Sequence, residues 1–309
     1  NNITLHFMFM KRLITIMFTL VVCGVGVVAQ ETEMEQGMFE TMREGDKAAI
    51  VAVHIGASDI QGRESIDRFN ARLRKAYPNY TFREAWTSRE LIQQMSHNGV
   101  NYIATPDELF GQLQKEGYTH VLIQSSNLVN CADMQFLRHA VEAAQAHFKH
   151  MRLGEPLLTD EQDYAEAAQA TAKAFGSEKE ANVLMCSSDT GTETAQFAML
   201  DYALKDHEFK GWFVGTTGGY PSLESLIRQL KHQKMKKIHL IPFAFVASTQ
   251  TTNAMAHEWT QRLQKAGYKV TAEVRCLSEV DAIMDIFERH IRHAEQYRRL
   301  TAKELKFIR

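Results

Sequence analysis

Short apolar segments alternate with amphipathic segments along most of the chain. The first apolar segment, residues 48–55, is long enough for one strand and contains no charged residue. Such a run is typical of a strand buried on both faces of a parallel sheet. In the next segment, residues 60–76, the side chains of Ile66, Phe69 and Leu73 recur at the spacing of one helix face. The sequence therefore predicts a buried strand followed by a helix that packs against it.

The same alternation continues to the end of the chain. Further strands are predicted at residues 80–85, 119–124, 182–186, 212–215, 237–243 and 270–274, and further helices at 91–95, 109–116, 133–147, 164–175, 194–204, 222–230, 254–266 and 279–290. Strands that alternate with helices form parallel sheets joined by right-handed crossovers. Because the rhythm restarts in the second half, we predict an α/β protein of two similar Rossmann-like domains, residues 47–160 and 161–309. Ligands bind such folds at the carboxyl ends of the strands, so we expect a ligand cleft there, between the two domains.

The first 29 residues have the pattern of an export signal. Two basic residues, Lys11 and Arg12, precede a mainly apolar run at residues 13–22, which is the arrangement of a secretory signal peptide. Small side chains before Gln30 favour cleavage after Ala29, although an apolar run extended that far approaches the length of a retained membrane anchor. We expect an exported protein of the periplasm, outer membrane or cell surface, in which residues 30–46 form a leader.

The four cysteines do not have the spacing of a disulfide framework or a zinc site. Cys131, Cys186 and Cys276 are widely spaced and odd in number, which favours small buried side chains. Cys23 lies within the export signal, so a lipid anchor at that position is the alternative to cleavage. The residues that follow Cys23 are too apolar for a typical lipoprotein tether, so we favour soluble export.

Composition narrows the class of protein. With 45% hydrophobic and 23% charged residues, the chain has the composition of a globular protein rather than a disordered one. The formal net charge is -2, so there is no overall basic character and nucleic acid is not an expected partner.

Three segments of the chain carry a resemblance to one family. They are residues 85–88, residues 214–221 with a glycine-rich turn before Tyr220, and residues 241–256, where a Pro-Phe strand leads into an Asn-x-Met helix start. Together they resemble the anaerobic, class II type of sirohydrochlorin cobaltochelatase (CbiK-like), over residues 47–290. The resemblance implies two chelatase-like α/β domains and a site at which a divalent metal is inserted into a tetrapyrrole.

The chain departs from that family at the residues that handle the metal. The family's histidine after the first strand of the second domain falls on Ser187, and its glutamate falls on Gly218. Its second histidine falls on Gln250, and a histidine of the first domain falls on Asn127. Imidazole and carboxylate groups hold divalent ions and accept pyrrole protons near neutral pH, whereas the replacements do neither well. We therefore expect no catalytic residue at the family positions.

A chelatase-like cleft without its metal ligands is similar to the FetB-type (IhtB) haem-binding proteins of the bacterial envelope. That resemblance implies an exported protein that binds haem or another tetrapyrrole and acts with an outer-membrane haem or iron uptake system, and it is compatible with a homo-oligomer. The tetrapyrrole-binding residues expected on this basis are His54, Asn127, Met185, Ser187, Gly218, Tyr220, Gln250 and Met255.

Several of these assignments have alternatives. His54 at a strand end is more often a packed histidine than a ligand, and Met185 and Met255 are more often packing residues than haem contacts. The competing hypothesis is a working chelatase, or a haem dechelatase, that binds cobalt or iron through a rearranged set of ligands. The candidates for that metal site are His54, Asp189 and His257, of which Asp189 is also explained as an acid at a helix start. A third hypothesis is an envelope protein that binds some other ligand on the same scaffold.

Overall fold

The computed structural model describes residues 32–34, 37–97, 99, 101–188, 193–246 and 249–299, with the backbone alone at 32–34, 249–254 and 299. The predicted export signal, with Cys23 and Ala29, lies outside these residues, and so does Asp189. By its contacts the chain divides into two units, of which the larger, Glu35–Tyr297, holds two four-stranded sheets. In addition, strand β1 (Thr32–Met34) pairs with strand β10 (Tyr297–Arg299).

The first sheet has four parallel strands in the order β3-β2-β4-β5. Its strands are β2 (Ala48–His54), β3 (Thr81–Trp86), β4 (His120–Ser125) and β5 (His150–Leu153). The connecting helices are α1 (Ile60–Ala76), α2 (Arg89–His97), α3 (Pro106–Lys115) and α4 (Ala132–Ala144), the last continued by a 3-10 turn at Gln145–His147.

The second sheet repeats this arrangement, with four parallel strands in the order β7-β6-β8-β9. Its strands are β6 (Ala181–Cys186), β7 (Trp212–Thr216), β8 (Lys237–Phe243) and β9 (Lys269–Ala272). Its connecting helices are α6 (Thr194–Asp206), α7 (Leu223–His232) and α8 (Thr249–Lys265). Helix α5 (Glu161–Phe175) joins the two sheets. Helix α9 (Asp281–Gln296) follows a 3-10 turn at Leu277–Glu279 and ends the unit. The predicted α/β fold with two parallel sheets is confirmed, while the boundary between residues 160 and 161 stays a prediction.

Alternation along the strands divides the apolar side chains between two faces of each sheet. In β2, Ile50 and Ala52 enter one core cluster, whereas Val51 and Val53 enter another. The cluster that contains Ile50 also contains Leu184 of β6, so the inner faces of the two sheets share one hydrophobic core. In a parallel sheet both faces are covered, which explains the uninterrupted apolar runs in the sequence.

Strand β5 and the length of α9 are not predicted by the hydrophobic pattern. β5 carries the polar residues His150 and Arg152, and Arg152, 4% exposed, donates to the carbonyl oxygen of Ala294 at 3.4 Å. The predicted last helix ends at residue 290, but α9 continues to Gln296 and returns to the first sheet. The guanidinium group of Arg152 interacts favourably with the negative end of the helix dipole. A contact between positions 142 residues apart therefore stabilises the extra turn.

None of the described helices is both long enough and apolar enough to cross a membrane.

Candidate functional site at the carboxyl ends of the strands

The turn after β7 is tied to the end of β6. The backbone N–H of Thr217 donates to the carbonyl oxygen of Cys186 at 3.0 Å, and the N–H of Ser188 donates to the hydroxyl of Thr217 at 3.2 Å. At its other end the turn closes on itself, because Thr216 donates from its N–H to the carbonyl oxygen of Pro221 at 2.7 Å. The Tyr220–Pro221 peptide bond within the turn is cis. These bonds bring the predicted positions 187, 218 and 220 together.

Gly218 fills a place in this turn that has no room for a side chain. A Cβ atom added there would lie 2.6 Å from the carbonyl oxygen of Ser188. The next residue, Gly219, has a φ of 105° and would place a Cβ 2.3 Å from the side chain of Thr194. Contacts this short require the backbone to move, since real Cβ atoms do not approach so closely. A glutamate at position 218, the residue that the resemblance implies for the family, is therefore incompatible with the turn in this conformation.

Among the described residues, the exposed side chains of the turn carry no charge. Ser187 is exposed, and Tyr220 is 60% exposed. Behind them Ser188 is buried, and its hydroxyl donates to the carboxylate of Glu193 at 3.4 Å. The arrangement presents a hydroxyl, glycine backbone and an aromatic ring to solvent at one edge of the second sheet.

Met185 and Met255, the two methionines among the predicted site residues, pack between the second sheet and its helices. Met185 is 2% exposed and lies in the cluster formed by β6, β8 and the helices α7 and α8. Met255 is partly buried against the same cluster. Since Cys186 points to the opposite face, into the core shared by the sheets, strand alternation directs Met185 away from that core. The structure thus supports the packing alternative for both residues.

The two predicted positions on α8 are placed differently. His257 is exposed, and its Nε2 atom lies 2.8 Å from Nε2 of Gln261, one turn further along the helix. Gln250 lies in the first turn of α8, among the residues described by their backbone alone.

His54 ends β2 inside a buried hydrogen-bond network. It is 1% exposed; its Nδ1 atom lies 2.8 Å from the Ser126 hydroxyl and its Nε2 atom 3.0 Å from Oδ1 of Asn70. The ring also packs edge-on against Phe69, at 5.3 Å between centroids. Burial lowers the pKa of His54, against the opposing effect of the negative charge of Glu84. The alternative that His54 is a packed histidine and not a ligand is therefore supported, because both ring nitrogens already have protein partners.

The same network continues to the surface through Glu84. Its carboxylate accepts from Nδ2 of Asn70 at 2.8 Å and from Nε1 of Trp86 at 2.7 Å. It also accepts two bonds from the guanidinium of Arg63, at 2.7 and 2.8 Å. Such a paired and fully bonded carboxylate is the form in which a largely buried charge is tolerated.

Asn127, next to Ser126, is 4% exposed, and its Nδ2 atom lies 3.9 Å from the sulfur of Met134. The side chain of Asn127 is therefore buried beneath the carboxyl edge of the first sheet and is not exposed at that edge.

Several members of the network, among them Asn70, Glu84 and Ser126, were not identified from the sequence. Asn70 lies on the apolar face of α1, beside Phe69, and this polar residue at a core position is the signal that was available. Glu84 and Ser126 gave no comparable signal, because nothing in their local sequence indicates burial. Among the described residues no group of three or more His, Cys, Asp or Glu side chains is arranged to hold a metal ion.

Comparison with known proteins identifies the family. The model of the cobalt chelatase family CbiK matches residues 48–296. The sirohydrochlorin cobaltochelatase of Salmonella typhimurium is 28% identical over 255 residues, which cover 80% of this chain and 96% of that protein. The sirohydrochlorin cobaltochelatase CbiKC of Nitratidesulfovibrio vulgaris is 25% identical over 258 residues, 79% of this chain and 89% of that protein.

Solved structures agree at the level of the fold. SirB from Bacillus subtilis, determined with Fe3+, superposes with a TM-score of 0.58 at 14% identity, over 81% of this chain and 96% of SirB. DR2241 from Deinococcus radiodurans, described as similar to chelatases, superposes with a TM-score of 0.53 at 12% identity, over 80% of this chain and 55% of DR2241. With four fifths of its length matched by one family model, the chain belongs to the cobalt chelatase family CbiK.

Proposed function

We propose that this member of the CbiK family is an exported tetrapyrrole-binding protein, with haem as its ligand in iron acquisition, and that it does not insert metal through the residues used by its family. The tightly packed turn at Gly218 carries the proposal. A glutamate in this turn would collide with the carbonyl oxygen of Ser188. The backbone conformation of the turn therefore excludes that carboxylate, so its loss is not the effect of one side-chain substitution alone.

The chemistry of the edge supports a binder of a flat ring. Among the described residues of this edge, a serine hydroxyl, glycine backbone and an exposed tyrosine ring face solvent at the carboxyl end of the second sheet. Aromatic side chains stack on flat conjugated ligands, and backbone without side chains allows close approach. The metal-presenting chemistry of imidazole or carboxylate is absent from Ser187 and Gly218.

The positions of two predicted contact residues, Met185 and His54, favour recognition of the ligand through its macrocycle. Met185 is packed inside the sheet-helix interface, and His54 has both nitrogens bonded within the protein. We therefore propose that the ring faces and edges of haem, rather than an iron bond to these two side chains, provide the affinity.

The export of the protein and its uptake partner are also proposals. They rest on the basic and apolar pattern of residues 1–29. Cell fractionation, with a form that lacks these residues as control, tests export.

A working cobaltochelatase is the second candidate. It is favoured by one observation, the match over 96% of the Salmonella enzyme. In this alternative the metal site is rearranged around residues such as Asp189 and His257.

Two assays on the same preparation separate the candidates. Haem titration, followed by the Soret absorbance, is expected to saturate with one ligand per site. Incubation of sirohydrochlorin with Co2+ is expected to give no insertion above the rate without protein. Saturable haem binding without insertion supports the proposal, whereas insertion that is lost in Asp189→Ala or His257→Ala establishes the alternative. A protein that binds no porphyrin at micromolar concentration contradicts both and favours a different ligand on the scaffold.

A further inference from the structure

Six exposed lysines gather where two neighbouring strands of the second sheet begin. The first residue of β8, Lys237, is paired with the first residue of β9, Lys269, and the N–H of Lys269 donates to the carbonyl oxygen of Lys236 at 3.0 Å. The helices that precede these strands, α7 and α8, end beside them with further lysines. Together the lysine cluster consists of Lys231, Lys234, Lys236, Lys237, Lys265 and Lys269.

The lysine cluster has no carboxylate partner among the described residues, since none of its ammonium groups forms an ion pair there. Glu224 and Glu258, on α7 and α8, pair instead with Arg262. Glu180, which precedes β6, accepts from the hydroxyl of Thr271 at 3.4 Å. The positive charges of the cluster are therefore available to a partner outside the chain.

The amino edge of the first sheet shows that the topology does not require such a cluster. There Lys149, which precedes β5, pairs with Asp46 at 2.7 Å. Lys47, which precedes β2, donates from its ammonium group to the carbonyl oxygen of Glu116 at 3.1 Å. The whole chain has a formal net charge of -2, so the lysine cluster is a local concentration of positive charge. Because like charges held close together repel one another, the cluster does not serve the stability of the fold.

We infer that the lysine cluster docks the protein on the surface of an anionic phospholipid bilayer. Lysine carries a compact, hydrated charge on a flexible stem, which suits a plane of mobile phosphate groups without a fixed bonding geometry. Protein interfaces are instead enriched in arginine and aromatic side chains and depleted of lysine. Proteins that bind single-stranded nucleic acid also use exposed aromatic rings, and none of the large exposed hydrophobic side chains in the described part of the chain lies in the cluster.

Docking through this edge leaves the candidate ligand site accessible. All strands of a parallel sheet begin at one edge and end at the opposite one. The lysine cluster lies at the beginning of β8 and β9, whereas the turn with Gly218 and Tyr220 follows the end of β7. Strands of five to seven residues separate the two edges by roughly 20 Å. A protein docked by its lysines therefore turns the Tyr220 edge away from the bilayer.

The test measures binding of the full chain to two kinds of vesicle by cosedimentation. One kind contains phosphatidylcholine alone, and in the other kind part of this lipid is replaced by the anionic phosphatidylglycerol. The readout is the ratio of the two binding constants, because the apolar run at residues 13–22 meets the hydrocarbon of both kinds and cancels in the ratio. Lys236→Gln combined with Lys237→Gln is expected to lower this ratio about twentyfold at low salt, at about fivefold for each lysine near the surface.

A second double variant controls for the change in net charge. Lys115 and Lys173 are exposed and form no ion pair among the described residues, but they lie on α3 and α5, outside the lysine cluster. Lys115→Gln combined with Lys173→Gln is expected to change the ratio less than about twofold. At a salt concentration of about 1 M, where charges are screened beyond roughly 3 Å, the ratio of the wild type is expected to fall to about one.

Lys234 separates docking from a structural role of the lysines. Its φ is 55°, and it follows α7 at the place where Gly117 and Gly267 follow α3 and α8. Glycine adopts this left-handed conformation without strain. Lys234→Gly is therefore expected to unfold at the same or a higher urea concentration than the wild type, while the vesicle ratio falls about fivefold. A lysine that only stabilises the end of α7 would give the opposite result, a lower urea midpoint and an unchanged ratio.

Three results would overturn the inference. They are a wild type that does not distinguish the two kinds of vesicle, a ratio that is the same in the wild type and the Lys236/Lys237 double variant, and a ratio that persists at high salt. Binding of a duplex oligonucleotide or of polyglutamate through the cluster, without discrimination between vesicles, would also overturn it and assign the cluster to a nucleic-acid or protein partner. Haem titration of the double variant in solution is expected to match the wild type, so each of these results leaves tetrapyrrole binding standing.

Discussion

The carboxyl ends of the two sheets share a topology and differ in chemistry. At the first sheet, polar side chains are bonded to one another, from the half-buried Arg63 and Glu84 to the buried His54 and Ser126. At the second sheet, the corresponding edge is a turn of small residues closed by backbone bonds and exposed to solvent. The comparison teaches that one strand order supports a rigid buried network or an open surface, depending on a few loop residues.

The largest effect is expected from breaking the network of the first sheet at Glu84. Glu84→Ala leaves the donors of Arg63, Asn70 and Trp86 without their carboxylate, and we expect a loss of about 3 kcal/mol in the free energy of unfolding. Urea denaturation measures it. The control is Glu116→Ala, which removes an exposed partner of Arg83 and is expected to cost about 0.5 kcal/mol or less. Similar losses in the two variants would show that the network is not stabilising.

A smaller loss is expected from Gly218→Glu, which introduces into the second sheet's turn the glutamate that the resemblance implies for the family. The new Cβ meets the carbonyl oxygen of Ser188, so we expect a cost of about 2 kcal/mol in the free energy of unfolding and no gain of cobalt insertion. Gly111→Glu is the matched control, since a Cβ at Gly111 in α3 meets no atom within 4 Å. An unchanged stability together with cobalt insertion would refute the incompatibility argued for the turn.

The buried histidines of the first sheet predict a dependence of stability on pH. Burial lowers the pKa of His54, and burial together with the neighbouring His150 lowers that of His120. In the unfolded chain the pKa values of these histidines are not lowered. As the pH falls, the unfolded chain therefore takes up protons before the folded protein does. Stability is expected to fall as the pH drops below about 6.5, by at most about 1.4 kcal/mol per pH unit for each histidine.

Urea midpoints between pH 7.5 and pH 5 measure this slope. His120→Gln is expected to reduce it. The same slope in the variant and the wild type would contradict the assignment to His120.

The smallest effect on stability is expected at Tyr220. The ring is 60% exposed, so Tyr220→Ala is expected to change the free energy of unfolding by no more than about 0.5 kcal/mol. If the ring stacks on the ligand, haem affinity falls about fivefold. Tyr202 on α6 has the same exposure, and Tyr202→Ala is the control that is expected to keep wild-type affinity. Equal affinities of the two variants would remove Tyr220 from the site.

Much of the fold was predictable because the apolar residues that mark each strand and helix in the sequence are the residues that the structure buries. The strand at residues 48–55 and the helix at 60–76 were predicted within one residue of β2 and α1. The helix predicted at residues 109–116 begins three residues earlier in the structure, at Pro106, where the N–H of Thr105 donates to Glu108 at 3.0 Å, as a capping glutamate does. β5 and the last turn of α9 were missed, because their stability comes from each other and not from their own sequences.

The candidate site was predictable only in part. The glycine-rich turn was recognised from its residues, and the structure adds the reason that position 218 is a glycine. His54 was identified as a candidate ligand with a structural alternative, and the outcome depended on Asn70 and Ser126, which lie 16 and 72 positions away. A histidine's role is determined by what bonds its two nitrogens, and local sequence does not contain that information.

By itself, the sequence determined the α/β class, the doubled parallel sheets and the kinship with chelatases, because periodicity and glycine-rich turns are local properties. The tertiary structure alone decided which polar side chains are enclosed and which face solvent. It enclosed His54 in a buried network with Asn70 and Ser126, and it left Ser187 and Tyr220 exposed. The physical reason is that burial and hydrogen-bond partners arise from segments far apart in the chain, and these set the tautomer, the charge and the accessibility of each group.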